Sequence, residues 1–160
     1  MEEIRAVHAC GDFGKIIPVR LKTYTDLMNG LKKVCEDNGI KQGIVLTGIG
    51  SVRKLTYQVL VPNDKTKLGA AYCDPTSIPG PIEILSVQGE IFQTEEGEMV
   101  LHLHGTFSDK EGNVYAGHLV PGGNPVLATL EATIAEVTGV NLIRRYDEDV
   151  DMKLITPEKL

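Results

Sequence analysis

The chain has 160 residues, 42% of them hydrophobic and 24% charged, with 16 Lys plus Arg against 22 Asp plus Glu for a formal net charge of −6. That balance supports one folded domain over residues 1–160 and excludes a chain too polar to collapse. Three widely spaced cysteines, Cys10, Cys35 and Cys73, fit neither a disulfide framework nor a pair of Cys-x-x-Cys zinc hooks, and no apolar run approaches the roughly 20 residues of a membrane-spanning helix.

Ile4, Ala6 and His8 alternate with other residues and suggest a first strand, and residues 16–21 a second, with Pro18 favouring a sheet edge. Leu27, Leu31, Val34 and Cys35 recur at helical spacing over residues 26–38, with Thr25 as N-cap and Gly39 as the stop. Residues 43–52 and 55–61 read as two strands, and 82–92, 99–107 and 114–120 as three more. Pro and Gly cluster at 75–81 and at 121–125, which suggests two loops. Asn124 and Pro125 then look like the opening of a second helix, with Leu127, Leu130, Ile134 and Val137 on one face and Gly139 at its end. Residues 140–145 and 152–155 could close the sheet. Strands outnumber helices and follow one another by short turns, so the expected class is α+β: a largely antiparallel, mixed sheet packed with two main helices.

Of the four histidines, His102, His104 and His118 fall within 17 residues of one another. In Leu101-His102-Leu103-His104 the strand period of two sends both imidazoles to one face and both leucines to the other. The turn Asp109-Lys110-Glu111-Gly112-Asn113 contains the glycine that a reversal needs. A hairpin pairing Ser108 with Val114 sets His104 opposite His118, with Cβ atoms about 5 Å apart. A slip by one residue would turn His118 away. In this register the three imidazoles suit one divalent transition metal per chain; zinc fits an open fourth position, and copper, nickel or iron would also accept the set. The alternative is a trio of sheet histidines satisfied by backbone and hydroxyl groups. His8, alone near Cys10 and Asp12, is assigned no ligand role.

The ordered series Thr47-Gly48-Ile49-Gly50-Ser51-Val52, Gly80-Pro81-Ile82-Glu83-Ile84-Leu85-Ser86-Val87-Gln88-Gly89, Leu101-His102-Leu103-His104 and Gly117-His118-Leu119 resembles the plant and prokaryote conserved (PPC) domain over nearly the whole chain. The resemblance implies an α+β fold assembled as a homotrimer and, in prokaryotic members, a metal on histidines matching His102, His104 and His118. It also implies the label DNA-binding. Plant members carry a separate AT-hook with an Arg-Gly-Arg-Pro core, and this sequence has none. They contact partner proteins through Gly-Arg-Phe-Glu-Ile-Leu, where this chain has Gly80-Pro81-Ile82-Glu83-Ile84-Leu85, keeping Gly80, Ile84 and Leu85 as candidate contacts.

Gly48-x-Gly50 lacks the third glycine and following helix of a nucleotide loop and reads as close strand packing. The pairs Lys32-Lys33, Arg53-Lys54 and Arg144-Arg145 form no run and read as solvated surface, as do Asp147-Glu148-Asp149 and Asp151. Residues 1–67 carry 11 basic and 7 acidic side chains and the remainder 5 and 15, an acidic total that disfavours DNA as a partner of the isolated domain. The acidic start Met1-Glu2-Glu3 is unlike a secretory leader, and a cytosolic protein is expected. Three functions stand: a metal-bearing trimeric binding or regulatory module, which is favoured and is not an enzyme; a zinc hydrolase whose metal-bound water gives its proton to Glu83; and a DNA-binding regulator.

Overall fold

The structure, a computed structural model, describes residues 4–160. The acidic stretch read at residues 1–3 lies outside the described part. Residues 4–11 run without regular structure and are mostly exposed, so the first expected strand does not form. Pairing starts at β1 (Asp12–Lys22), which joins β8 (Val126–Thr138) antiparallel and occupies the sheet edge. Pro18 lies within this strand opposite Thr133, and an edge is where a residue without an N–H is tolerated.

The helix α1 spans Leu27–Asp37. Its N-cap is Asp26 rather than Thr25: Asp26 is extended, and its Oδ1 accepts from the Asn29 N–H at 3.0 Å. The same carboxylate accepts from the backbone N–H groups of Gly122 and Asn124, at 3.1 and 2.9 Å, and so ties the start of the helix to a distant loop. Leu27, Leu31 and Cys35, four apart, are fully buried. Burial pushes the Cys35 thiol up to about 11, which leaves it a protonated, inert core group.

The two strands expected over residues 43–61 are one long strand, β2 (Gly43–Gln58), followed by the short β3 (Leu60–Pro62), which pairs with β4 (Ala70–Tyr72) as a separate hairpin. Register shifts between Val52 and Lys54 let β2 bend without breaking. Gly50 shows why glycine is needed in it: φ is +149°, and a Cβ there would meet the Thr129 carbonyl oxygen at 2.1 Å. The Gly-x-Gly pair is thus a packing device. The proline-rich stretch expected as a loop is largely the start of β5 (Thr76–Gln93). From β2 the hydrogen-bonded path runs to β5, to β6 (Met99–Ser108), to β7 (Val114–Leu119) and back to β2 at Tyr57 and Gln58, so the centre of the sheet closes on itself around Val45, Leu55, Ile84, Leu103, Phe107 and Leu119.

The second expected helix is strand β8. Its apolar residues satisfy the 3-4-3 spacing of a helix, but Val126, Leu130, Ala132 and Ile134, all even-numbered, are buried, while Glu131 between them is exposed. β-Branched Val126, Thr129, Thr133, Ile134, Val137 and Thr138 favour the extended form, and β8 gains hydrogen bonds on both sides, from β1 and β2. Asn124 accordingly caps no helix. It is fully buried; its Oδ1 accepts from the Thr56 N–H at 2.8 Å, and its Nδ2 donates to the Thr56 and Val120 carbonyls at 3.1 and 2.9 Å. Asn124→Ala is expected to orphan these backbone groups and cost about 2–4 kcal/mol, read as a lower denaturation midpoint with an unchanged m-value.

The two expected closing strands form as β9 (Val140–Asp147) and β10 (Met152–Lys159), an antiparallel hairpin whose Val140 and Leu142 pack with Phe92 in a second, small core. The class is therefore a mostly β, mixed sheet with one helix, not two. Among the described residues no helix is long and apolar enough to cross a membrane.

Candidate metal centre and its cleft

The hairpin β6–β7 fixes the site through its turn. Asp109 Oδ1 accepts from the N–H groups of Glu111 and Asn113 at 3.0 and 2.9 Å, and Oδ2 accepts from Asn113 Nδ2 and the Tyr115 hydroxyl at 2.9 and 2.8 Å. These donors hold the Asp109 carboxyl below its ordinary range. With Gly112 at φ +83°, the turn pairs Ser108 with Val114 and therefore His104 with His118, the register expected from sequence. Leu101, Leu103 and Leu119 enter the core, while the histidines take the other face.

There the three imidazoles converge. Their candidate ligand atoms all lie within 4.8 Å of one another, and the Nε2 atoms of His102 and His104 are 3.0 Å apart. The ring of His118 sits 4.8 Å from that of His102 and 5.2 Å from that of His104, centroid to centroid. Tyr72, delivered by the β3–β4 hairpin, covers the far side of His118 at 4.8 Å. Burial pushes all three imidazole pKa values down; for His118 the neighbouring His102, His104 and Arg144 add to burial and bring it to about 4. All three rings are neutral at pH 7, which is the form that coordinates metal. The buried Nδ1 of His118 has no hydrogen-bond partner among the described residues, a cost that an ion or other ligand would relieve. The donor set thus fits a divalent transition metal, with zinc suited to three nitrogens and an open fourth position.

The same shifts set a pH dependence. The folded pKa values lie below the unfolded value near 6.5, so as pH falls through about 6.5 the unfolded chain takes up protons that the folded one refuses. Stability is full above that point and falls towards about pH 4. The thermal midpoint of the metal-free protein is expected to be lower at pH 5.5 than at pH 7.5, and the difference to shrink in His118→Gln. Asp109 and Glu158, held low by their partners, act only at more acidic pH.

Beside the histidines lies a cleft of about 280 Å³ lined by His102, His118, Tyr72, Arg144 and residues 152–155 of the β9–β10 hairpin. Sequence reasoning missed Tyr72 and Arg144 as neighbours of the site. No local signal marks Tyr72, and Arg144 read as half of a solvated pair. The structure separates that pair: Arg145 bridges Glu95 and Glu158, whereas Arg144 forms no ion pair among the described residues.

Other candidates fall elsewhere. Glu83 is exposed and lies opposite Ser108, four residues along β6 from His104, or about 13 Å at strand rise. It does not line the cleft. Ile84 is core, Gly80 packs against the Arg53 backbone, and Leu85 is exposed. His8 is exposed in the irregular N-terminal segment. Glu90, not singled out from sequence, sits across from His102, and burial raises its carboxyl pKa. Several members of the basic pairs are engaged locally: Lys33 pairs with Asp37, Lys32 with Glu98, and Arg53 lies 3.9 Å over the Tyr24 ring.

Comparison with known proteins gives the fold the same context. A metal-containing protein of Archaeoglobus fulgidus superposes with a TM-score of 0.77 at 24% identity, covering 95% of this chain and 99% of that one. A plant- and prokaryote-conserved protein of Pyrococcus horikoshii does so with a TM-score of 0.77 at 23% identity, covering 93% and 97%. Among curated sequences, the bifunctional protein GlmU of a Synechococcus strain is 27% identical over 133 residues, which is 83% of this chain but only 18% of that protein, so the chain spans less than a fifth of this relative. The profile of the Plants and Prokaryotes Conserved (PCC) domain, the PPC domain of the sequence resemblance, matches residues 8–138, which take in the glycine pair, the Gly80–Gly89 stretch and all three clustered histidines; the chain belongs to that family.

Proposed function

We propose that this chain is a metal-carrying, homotrimeric binding module of the PPC family, holding one divalent transition metal, zinc foremost, on His102, His104 and His118 of each protomer. The observation that carries the reading is the convergence of three imidazoles, two of which, His102 and His118, line a cleft. The similar fold of a metal-containing protein of Archaeoglobus fulgidus supports it. When bound, such an ion supplies a Lewis acid with a free coordination position. The chain's own residues orient the rings through the hairpin register, shield His118 under Tyr72 and line the approach with apolar side chains.

Binding is favoured over hydrolysis because none of the described residues lining the cleft is a carboxylate that could take a proton from bound water: Glu83 is a strand segment away, and Glu90, although it pairs with His102 across β5 and β6, is not part of that lining. A DNA-binding role finds no AT-hook in this sequence, against a net charge of −6. Self-association is supported by exposed apolar side chains on the sheet: Ile49 and Leu85, on the paired strands β2 and β5, are 53% and 48% exposed, and Ile16, on the edge strand β1 beyond β8, is 52% exposed. Three free thiols go with the cytosol as its compartment.

The test is elemental analysis together with solution mass of the purified protein. About one zinc per chain in a particle of three chains is expected, and Ile49→Asp is expected to shift the mass towards monomer while leaving the metal in place. A metal-free protein, or a monomer at micromolar concentration, would contradict the corresponding half of the reading.

A further inference from the structure

We infer that the cleft beside the histidines takes a small organic carboxylate with an apolar tail, its anionic end set between the histidine wall and the Arg144 guanidinium. The inference rests on the metal reading and adds a ligand class to it. Three features of the cleft point this way. The first is charge: among the described residues Arg144 and Lys153 both line it and no acidic residue does, and Arg144 has none of the carboxylate partners that neutralise its neighbour Arg145. The second is position. Arg144 lines the same cleft as His102 and His118, and its Nε donates to the Lys153 carbonyl at 3.3 Å, which braces the side chain.

The third is the rest of the wall. Phe92, Val100, Met152, Leu154 and Ile155 offer an apolar surface deeper than one anion needs, on a scale of about 280 Å³. A bare phosphate would leave that surface wet, and a neutral apolar molecule would leave Arg144 unpaired. An anionic head with a hydrocarbon body satisfies both. A cation on the three imidazoles would add a second positive centre facing the same anion.

The experiment is calorimetric titration of hexanoate into the zinc-loaded protein, with acetate, 1-hexanol and inorganic phosphate as comparison probes. Hexanoate is expected to bind at least about tenfold more tightly than each of the others. Arg144→Ala should weaken hexanoate about tenfold, Arg144→Lys should recover part of the loss, and Arg145→Ala should change it less than about twofold. In cobalt-substituted protein, hexanoate should shift the visible absorption bands, a readout that does not depend on any activity. Zinc content is measured first: a protein that takes up no zinc defeats the metal reading, and the inference with it. A protein that holds zinc but binds hexanol or phosphate as well as hexanoate, or binds hexanoate equally after Arg144→Ala, defeats the inference alone.

Discussion

Replacing His102, His104 or His118 with Ala, one at a time, is expected to remove nearly all bound metal while leaving the fold intact. Each variant deletes one of three ligands; disturbing even a residue that only supports a ligand costs about 10–100-fold in affinity, so loss of a ligand should exceed 100-fold. The fold should survive because the histidines lie on the non-core face of β6 and β7. In metal-free buffer the variants are expected to melt within a few degrees of the parent, and His118→Ala also removes a buried ring nitrogen that has no hydrogen-bond partner. Leu103→Ala, one residue away and fully buried, is the counterpart: it should cost about 2–5 kcal/mol by opening a cavity. Elemental analysis and thermal melts on the four variants separate the two faces of one hairpin. Unchanged metal content in all three histidine variants would dismiss the assignment.

The period-two alternation around His102 and His104 was legible because both demands on the strand, leucines inward and imidazoles outward, repeat at the same interval. The turn that sets the partner register was legible for a similar reason, since Asp109, Gly112 and Asn113 act within five residues of chain. Residues 126–138 were misread because their apolar positions satisfy a helical spacing as well as an alternating one. What decides between them is pairing with β1 and β2, from 74 to 126 residues away in the chain. Asn124 was misassigned with them: beside Pro125 it has the local pattern of a helix start, yet its amide is committed to Thr56.

The site shows the same division between local and distant information. Histidine convergence follows from one hairpin and could be derived. The cleft could not, since it arises where three separate hairpins meet: β6–β7 carries the imidazoles, β3–β4 places Tyr72 and β9–β10 places Arg144. Adjacent arginines on β9 read alike in sequence and differ only in whether acidic partners reach them.

Gly89→Ala is expected to damage stability and metal binding together, because Gly89 joins the sheet's geometry to the site's. It lies on β5 opposite Leu103, next to the pair formed by Glu90 and His102. Its φ is +149°, and a Cβ there would meet the His102 carbonyl oxygen at 2.0 Å and the Leu103 Cα at 3.0 Å. These are backbone atoms, so no side-chain rotation relieves the clash; β5 and β6 must separate at the level of His102. Backbone strain alone costs about 1–3 kcal/mol, and the forced separation adds to it. Gly112→Ala is the control. It also carries a positive φ, +83°, but nothing lies within 4 Å of its Cβ position, so only the conformational cost of about 1 kcal/mol applies. Urea denaturation should therefore place Gly89→Ala well below Gly112→Ala. Metal affinity, measured where both variants remain folded, should drop at least tenfold for Gly89→Ala and little for Gly112→Ala. Equal midpoints and equal affinities in the two variants would show that β5 does not hold His102 in place.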